Sequence, residues 1–285
     1  VIYLTMRAVT TNDAPSDALI DTFQRLDPKS FLLRFFSKST RPDGRLFSMC
    51  RPTKITKDVL SKNALGSCLV RLGKTQVICG ITIQVGIPSI PNHGDILVLG
   101  PYGQNSQNSS EMTEILQDVL SSMIDLSCLG IDSGPTPAAW RLQITFQILF
   151  DDGNILDASI IAAVTAMMDI RLPPFRWNNN VVEILENVSP SSQSLSRPLI
   201  WHYHPVPLTL GIYVQDNETI NLLADPTPEE EPILNGYITM IVAKEKEELV
   251  FFRHSSQVGI SRQDLAICAH MTHGRWKEIS ELWKD

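Results

Sequence analysis

Apolar and polar residues alternate over residues 66–85, where the pattern predicts a β-hairpin. Two runs rich in β-branched residues flank Gly73 and Lys74, at a position that tight hairpin turns favour. In the second run every other residue is apolar, namely Val77, Cys79, Ile81, Ile83 and Val85. One face of this strand is therefore expected to be buried.

Apolar residues at helical spacing predict five helices. Four of them cover residues 16–26, 28–38, 111–127 and 261–283. The fifth, over residues 157–170, is apolar on nearly every side, which is typical of a helix buried within the protein. Residues 86–110 are dense in Gly, Pro, Asn and Ser, so we expect a loop there. The Asn and Ser clusters of residues 176–198 predict a connection between two halves of the chain.

Strands are predicted over residues 138–150 and, later in the chain, in two hairpins. The hairpins pair residues 206–214 with 219–224 and residues 236–244 with 248–254. Strands followed by a long helix occur twice, so the predicted class is α+β with two similar halves. We predict an N-terminal helical extension over 1–40, a first half over 41–175, a connecting segment over 176–198 and a second half with a C-terminal helix over 199–285.

Composition is that of an ordinary globular protein. Of the 285 residues, 43% are hydrophobic and 19% are charged. No apolar run approaches the ~18 residues that cross a bilayer, so we expect no membrane span and, from the first residues, no secretory signal. The five cysteines show no CxxC spacing. We expect buried, reduced thiols in an intracellular protein rather than a disulfide scaffold or a zinc site.

Charge is distributed unevenly around a net value of −7. Residues 38–74 contain nine Lys and Arg against two acids, whereas residues 216–248 contain nine acids against two Lys. Such asymmetry suits a protein whose basic part meets phosphate or an acidic neighbour. Two solvated faces of opposite sign would give the same pattern.

Four stretches of the sequence, in a fixed order, resemble one known family. They are RPDGR (41–45) followed by RP (51–52), GSCLVRLGKTQVICGI (66–81), DDGNILDASIIAAVTAMMDIRLP (151–173), and HPVPLTLGIYV with LLADPTPEEE (within 204–231). Together they resemble the RNase PH-like subunits of the RNA exosome over nearly the whole chain. The resemblance implies an RNase PH-like fold of two βαβ-type halves, with sheets packed around buried helices.

The resemblance also implies partners and a chemistry. It implies a ring of RNase PH-like subunits around an RNA channel, S1/KH-type cap subunits, a separate exosome nuclease, and a location in the nucleus, nucleolus and cytoplasm. In active members inorganic phosphate attacks the 3′-terminal phosphodiester of RNA. Those members hold the phosphate with a Gly-Gly-Thr/Ser-Arg turn, an Arg pair in the first half and an Asp after the second-half hairpin.

The phosphate turn of this chain departs from that pattern. It reads Gly153, Asn154, Ile155 and Leu156, so aliphatic side chains stand at the hydroxyl and guanidinium positions. Neither donates a hydrogen bond, whereas phosphoryl transfer needs donors around the phosphate. We predict that Asp157 caps the following helix with its carboxylate and repels a phosphate. The turn is therefore expected to be filled by the protein's own residues.

The other catalytic positions differ as well. Residues 103–120, where the family carries its Arg pair, contain no Arg or Lys, and Leu223 stands where the family has its catalytic Asp. Glu229 keeps an acid at a second family position. We therefore predict no catalytic residue, no metal and no cofactor, with degenerate positions at Ile155, Leu156, Asp157, Leu223 and Glu229. Charge and position in the basic segment select four candidates for contact with RNA: Arg41, Arg45, Arg71 and Lys74.

Competing interpretations stay open on the sequence. The pairs His202 with His204 and His270 with His273 each share one face of a predicted element, but neither has a cysteine or an acid at ligand spacing. Hydrogen-bonded or surface histidines are the preferred interpretation. A second function would be an active phosphate-dependent exoribonuclease with displaced site residues. A third would be an unrelated protein-binding module that shares only the fold.

Overall fold

A computed structural model describes residues 22, 25–60, 64–102, 109–131, 136–178, 181–185, 196–215, 219–243 and 248–284. The chain divides into two compact units, residues 1–46 and 47–285. The first unit contains helix α1 (Pro28–Phe36), whose start is capped by the Asp27 side chain accepting a hydrogen bond from the Ser30 amide. The helix predicted over 28–38 is thus confirmed, while the one over 16–26 lies almost wholly outside the described residues.

The larger unit opens with a six-stranded sheet. Its strands are β1 (Thr53–Lys57), β2 (Gly66–Leu72), β3 (Thr75–Gly86), β4 (Asp95–Tyr102), β5 (Gly130–Ile131) and β6 (Ala138–Phe150). The order across the sheet is β1-β2-β3-β6-β4, with β5 paired to β6. The predicted hairpin is confirmed as β2 and β3, joined at Gly73, whose φ of +59° favours glycine. Val77, Cys79 and Ile81 are buried on one face.

Three strands of this sheet, β1, β4 and β5, were not predicted, and β4 contradicts a prediction. Strand β4 lies within residues 86–110, so the prediction of a loop there is wrong for Asp95–Tyr102. It pairs with β6 in parallel, and its burial alternates, with Ile96 and Val98 inside. The Gly and Pro residues on both sides of the strand dominate the composition of the segment and hide this short alternation.

A four-stranded antiparallel sheet forms the later part of the unit. Its strands are β11 (Pro205–Val214), β12 (Ile220–Ala224), β13 (Gly236–Ala243) and β14 (Glu248–Ser256), in the order β12-β11-β13-β14. Both predicted hairpins are confirmed. Along the chain, two short strand pairs come between the two sheets: β7 (Arg171–Leu172) with β10 (Arg197–Pro198), and β8 (Phe175–Asn178) with β9 (Val181–Ile184). The segment predicted as a plain connection therefore contains part of a small hairpin.

Three helices pack on these sheets: α2 (Ser109–Ser122), α3 (Ile155–Met168) and α4 (Arg262–Leu282). Helix α3 contacts β2 and β3 of the first sheet and β11 of the second, and residues 157–167 are all buried. Its lack of a polar face follows from this position between two sheets. Helix α2 packs on β4, and α4 packs on β11 and β13. Ser261 and Asp264 form a capping box at the start of α4.

The arrangement confirms the α+β class and the predicted buried helix. The division at residues 40, 175 and 198 stays a prediction. No helix within the described ranges combines the length and the apolar character needed to cross a bilayer. All five cysteines are free thiols, and Cys68, Cys79 and Cys268 are buried.

Candidate functional site

The turn of residues 151–154 leads from the end of β6 into the start of α3. Gly153 and Asn154 both have left-handed backbones, with φ of +81° and +57°. Glycine is required at the first position, because a Cβ there would lie 2.9 Å from Cδ of Pro228. Asparagine is among the residues that tolerate this conformation best. The residue types at these two positions therefore fit the backbone conformation that connects β6 to α3.

A buried arginine holds this turn. Arg51 donates from its backbone N and Nε to Oδ2 of Asp225 (2.9 and 2.7 Å) and from Nη2 to Oδ1 (2.7 Å). Nη1 donates to the carbonyl of Asp152 (2.6 Å) and to its carboxylate (3.2 Å), and Nη2 also donates to the carbonyl of Gly153 (3.2 Å). Every N–H group of the guanidinium thus has an acceptor supplied by the protein.

Charge pairing stabilises the ionised form of both partners. Burial alone would raise the pKa of Asp225, but the hydrogen bonds and charge of Arg51 outweigh burial and hold that pKa below its ordinary value. Burial likewise would lower the pKa of Arg51, and Asp225 outweighs it and raises that pKa. The two side chains are 6% and 1% exposed, so the ion pair is shielded from solvent.

Asp157 does not cap its own helix, so that prediction is wrong. Its Oδ2 accepts from the backbone N of Thr209 (2.8 Å) and from Nδ2 of Asn154 (2.9 Å), and its Oδ1 accepts from Oγ1 of Thr209 (2.9 Å). Asn154 is the N-cap residue and makes no side-chain cap. Burial raises the pKa of Asp157, although these hydrogen bonds act in the opposite direction. The carboxylate therefore joins α3 to strand β11.

Among the residues that the structure describes, none fills the space beside the turn. A cavity of about 560 Å³ opens beside the turn, and its apolar lining includes Ile155, Leu156, Met112, Ile115 and Ile148. Space for a ligand is therefore present, contrary to the prediction. We call this space the acidic cavity, because its described charged lining is Glu111, Asp151, Glu231 and Arg253.

The acidic cavity disfavours a phosphate by charge rather than by lack of room. Three carboxylates face one guanidinium and the roughly half positive charge of the α3 N-terminus. Arg253 is itself ion-paired with Glu111. Burial, and then the charge of Asp151, raise the pKa of Glu231. Burial, and then Glu231, raise the pKa of Tyr237 to about 12. Burial is the first cause of both shifts, and a neighbouring acid acts in the same direction in each.

The degenerate positions are not gathered around this cavity. Ile155 and Leu156 line it, but Leu223 is buried in strand β12, opposite Gly211 of β11. Glu229 is exposed in the turn after β12 and is not part of the lining, which instead includes Glu231. A catalytic carboxylate would have to approach the reacting phosphate directly.

The four candidates for RNA contact separate into two groups. Arg71 and Lys74 line one cavity of about 470 Å³ on the first sheet, together with Lys54, Gln76 and Phe150. Arg41 and Arg45 belong to the first unit. Arg41 is only 1% exposed, which is unlike a side chain that meets RNA at the surface, and Nε of Arg45 pairs with the Asp43 carboxylate at 2.5 Å.

One histidine of each predicted pair stacks on a tryptophan ring. The His204 ring stacks on Trp201 with centroids 4.5 Å apart, and His273 stacks near Trp276 at 6.5 Å. Across the described ranges, no group of three or more His, Cys, Asp or Glu side chains is close enough to hold a metal ion.

Sequence reasoning missed the Arg51–Asp225 ion pair. The two residues are separated by 174 positions, and nothing in a single sequence pairs them. The only local signals were that Arg51 lies in the quoted RP dipeptide and that Asp225 precedes Pro226. The sequence likewise gives no sign that Nδ2 of Asn154 donates a hydrogen bond to Oδ1 of Asp225, at 2.8 Å.

Comparison with known proteins gives consistent results. The family model described as "3′ exoribonuclease family, domain 1" matches residues 49–173. The exosome complex component Rrp42 of Methanopyrus kandleri is 33% identical over 224 residues, which are 73% of this chain and 77% of that protein. Rrp42 of Archaeoglobus fulgidus is 29% identical over 287 residues, covering 93% of this chain and all of that protein.

A solved structure has the same fold. A chain of an archaeal exosome core superimposes with a TM-score of 0.72 and 26% sequence identity, over 95% of this chain and 100% of that chain. The predicted RNase PH-like fold is thereby confirmed.

Proposed function

The chain belongs to the RNase PH-like family of exosome components, and we propose that it acts in an exosome ring as a non-catalytic subunit. Its role would be to complete the ring and so to support 3′-to-5′ RNA processing and degradation, including rRNA maturation and mRNA turnover. One observation carries the non-catalytic assignment. At the turn expected to bind phosphate, Ile155 and Leu156 line the cavity. The nearby guanidinium of Arg51 donates all its hydrogen bonds to acceptors within the protein.

The energetic argument follows from the chemistry of phosphorolysis. The transition state carries negative charge on the phosphate oxygens, which cationic and N–H donors must offset. Removing one such donor typically costs about 2.7–4 kcal/mol of transition-state stabilisation. Here the hydroxyl and guanidinium positions of the turn carry no donor, and the carboxylates of Asp151 and Glu231 add repulsion.

At a finer level, the stretches at 151–173 and 204–231 resemble those of the yeast ring subunit called ribosomal RNA-processing protein forty-three. The archaeal relatives are named Rrp42. We propose a eukaryotic subunit of the forty-three type that works in the nucleus, the nucleolus and the cytoplasm. Its proposed partners are other RNase PH-like ring subunits, S1/KH-type cap subunits, a separate exosome nuclease, and RNA.

Native purification tests the assembly. Affinity purification of the full chain from cells, followed by mass spectrometry of the intact complex, should yield a ring-sized assembly. Peptides of RNase PH-like and S1/KH-type proteins should be present in it. A lone monomer would instead support the protein-binding module that shares only the fold.

An activity measurement tests the absence of catalysis. The alternative is an active exoribonuclease with a displaced site, for which Arg253 is the candidate cation, as the one cation in the described lining of the acidic cavity. Purified chain is incubated with 3′-labelled RNA and inorganic phosphate, and nucleoside diphosphate is measured. We expect no release. Release that is lost in Arg253→Gln but kept in Lys277→Gln, an exposed lysine on α4, would establish the alternative.

A further inference from the structure

A row of four side chains crosses the first sheet at the hairpin end. Lys54 of β1 lies directly opposite Arg71 of β2, Arg71 lies opposite Gln76 of β3, and Gln76 lies opposite Phe150 of β6. We call these four residues the basic row. Neighbouring strands are about 4.8 Å apart, so the row extends over roughly 14 Å. All four line the cavity of about 470 Å³, together with Lys74 of the hairpin turn.

An irregularity in β6 directs Phe150 to this face. The register of β3 against β6 shifts by one residue, because Gln76 pairs with Phe150 whereas Val77 pairs with Ile148. Leu149 is therefore an extra residue without a partner on β3. In a regular strand, residues 148 and 150 would lie on the same face, and Phe150 would share the face of Ile148, which lines the acidic cavity. The Phe150 side chain is instead at the basic row and 50% exposed.

The cations of this surface are not neutralised by the protein. Lys54, Arg71 and Lys74 are exposed, and in the part of the chain that the structure describes none of them makes an ion pair. Like charges directly opposite on neighbouring strands destabilise a sheet. Asp151, the residue after Phe150, lines the acidic cavity instead. The charges of Lys54 and Arg71 therefore repel each other, and an anion bound between them would offset that repulsion.

We propose that the basic row binds single-stranded RNA, with phosphates on Lys54, Arg71 and Lys74 and a base stacked on Phe150. Single-stranded nucleic acids are held by a positive groove that follows the backbone and by aromatic side chains that stack on bases. Gln76, between the cations and the ring, has an amide able to hydrogen-bond a base edge. This proposal rests on the proposed function, since it places an RNA contact on the ring subunit.

An acidic protein segment is the competing occupant of such a surface. It would satisfy the cations but would not need an exposed ring beside an amide. RNA carries anions and flat rings on one chain, and the basic row offers a partner for each, with two cations at one end and the amide and ring at the other. The arrangement therefore favours RNA.

Fluorescence anisotropy with a labelled oligouridylate tests the proposal, using the full chain as purified, free or in its complex. Phe150→Leu should weaken binding roughly five- to 150-fold, the range of one lost base stack. Arg71→Gln and Lys74→Gln, which change only exposed side chains, should each lower the salt slope of log K by about 0.7. Phe252→Leu and Lys277→Gln, an aromatic 41% exposed on β14 and a lysine on α4, should change neither value.

Three results would overturn the proposal. The first is unchanged RNA affinity and salt slope in the variants of the row. The second is oligoglutamate displacing the RNA while Phe150→Leu has no effect, which would assign the surface to an acidic protein. The third is that variants of the basic row purify without subunits that the wild-type complex contains, which would make the row a contact between subunits. Purification of the complex and the nucleoside diphosphate assay test the proposed function without any measurement of RNA affinity. A negative anisotropy result therefore leaves the proposed function unaffected, and a chain that purifies without ring partners can still be tested for RNA binding.

Discussion

Two cavities lie on either side of the end of β6, and they differ in charge although adjacent residues line them. Asp151 belongs to the acidic cavity, and Phe150 belongs to the surface with three cations. The family resemblance predicts phosphate chemistry at the acidic cavity. The structure instead gives that cavity repelling charge and gives the neighbouring surface the cations. The proposed function and the proposed RNA contact together describe a site without phosphate chemistry beside a surface that binds the same polymer.

Arg51 stands between the two surfaces, so its removal should have the largest effect. It reaches the Gly153 carbonyl at the acidic cavity, and a Cβ on Gly73, at the basic surface, would lie 2.5 Å from its Cδ. Arg51→Ala leaves Asp225 buried without its counter-ion, and we expect a loss of about 3–5 kcal/mol in the free energy of unfolding. Urea unfolding of wild type and variant measures it.

Arg176→Ala is the matched control. Arg176 pairs with Glu183 at 2.8 Å, but the two side chains are 65% and 40% exposed. Solvent screens such an exposed pair, so its removal should change the free energy of unfolding far less. Equal losses in the two variants would show that burial of the Arg51–Asp225 pair is not what fixes the turn.

The pH dependence of stability should separate the two buried acids of the network. The pKa of Asp157 is raised on folding, so its favourable contribution is fully present below its ordinary pKa of 3.8 and is lost as pH rises through the folded value. The pKa of Asp225 is lowered, so its contribution is present above 3.8 and is lost as pH falls through the folded value.

Urea unfolding over a range of pH detects the Asp157 effect. The stability of wild type relative to Asp157→Asn should decline as pH rises from 3.8 and then become constant. A relative stability that instead increases with pH would mean that the hydrogen bonds from Thr209 and Asn154 outweigh burial.

The smallest expected effect is a change in the titration of Tyr237. Glu231 contributes, after burial, to raising the pKa of this tyrosine to about 12. Glu231→Gln should therefore lower the Tyr237 pKa towards 10, which ultraviolet absorbance at alkaline pH detects. Glu229→Gln removes an exposed acid outside the cavity and should leave the tyrosine unchanged. An identical pKa in both variants would argue against a negative field in the acidic cavity.

The sequence by itself determined the elements with strong periodicity. The β2–β3 hairpin, the strand over 138–150, the helix buried on all sides and both later hairpins follow from alternation or helical spacing of apolar residues, which local sterics and burial impose. It also determined that the turn has no side-chain donor at its hydroxyl and guanidinium positions, because the side chains of Ile155 and Leu156 are aliphatic in any fold.

Only the tertiary structure decided what surrounds that turn. The Asp157 carboxylate accepts hydrogen bonds from Thr209 rather than from its own helix, because the second sheet offers an amide and a hydroxyl at 2.8 and 2.9 Å. Arg51 pairs with Asp225, which is 174 positions away in the sequence. The basic row exists because four strands align in register and one extra residue in β6 reverses the face of Phe150. Pairing between distant segments sets these contacts, and a single sequence carries no local pattern for them.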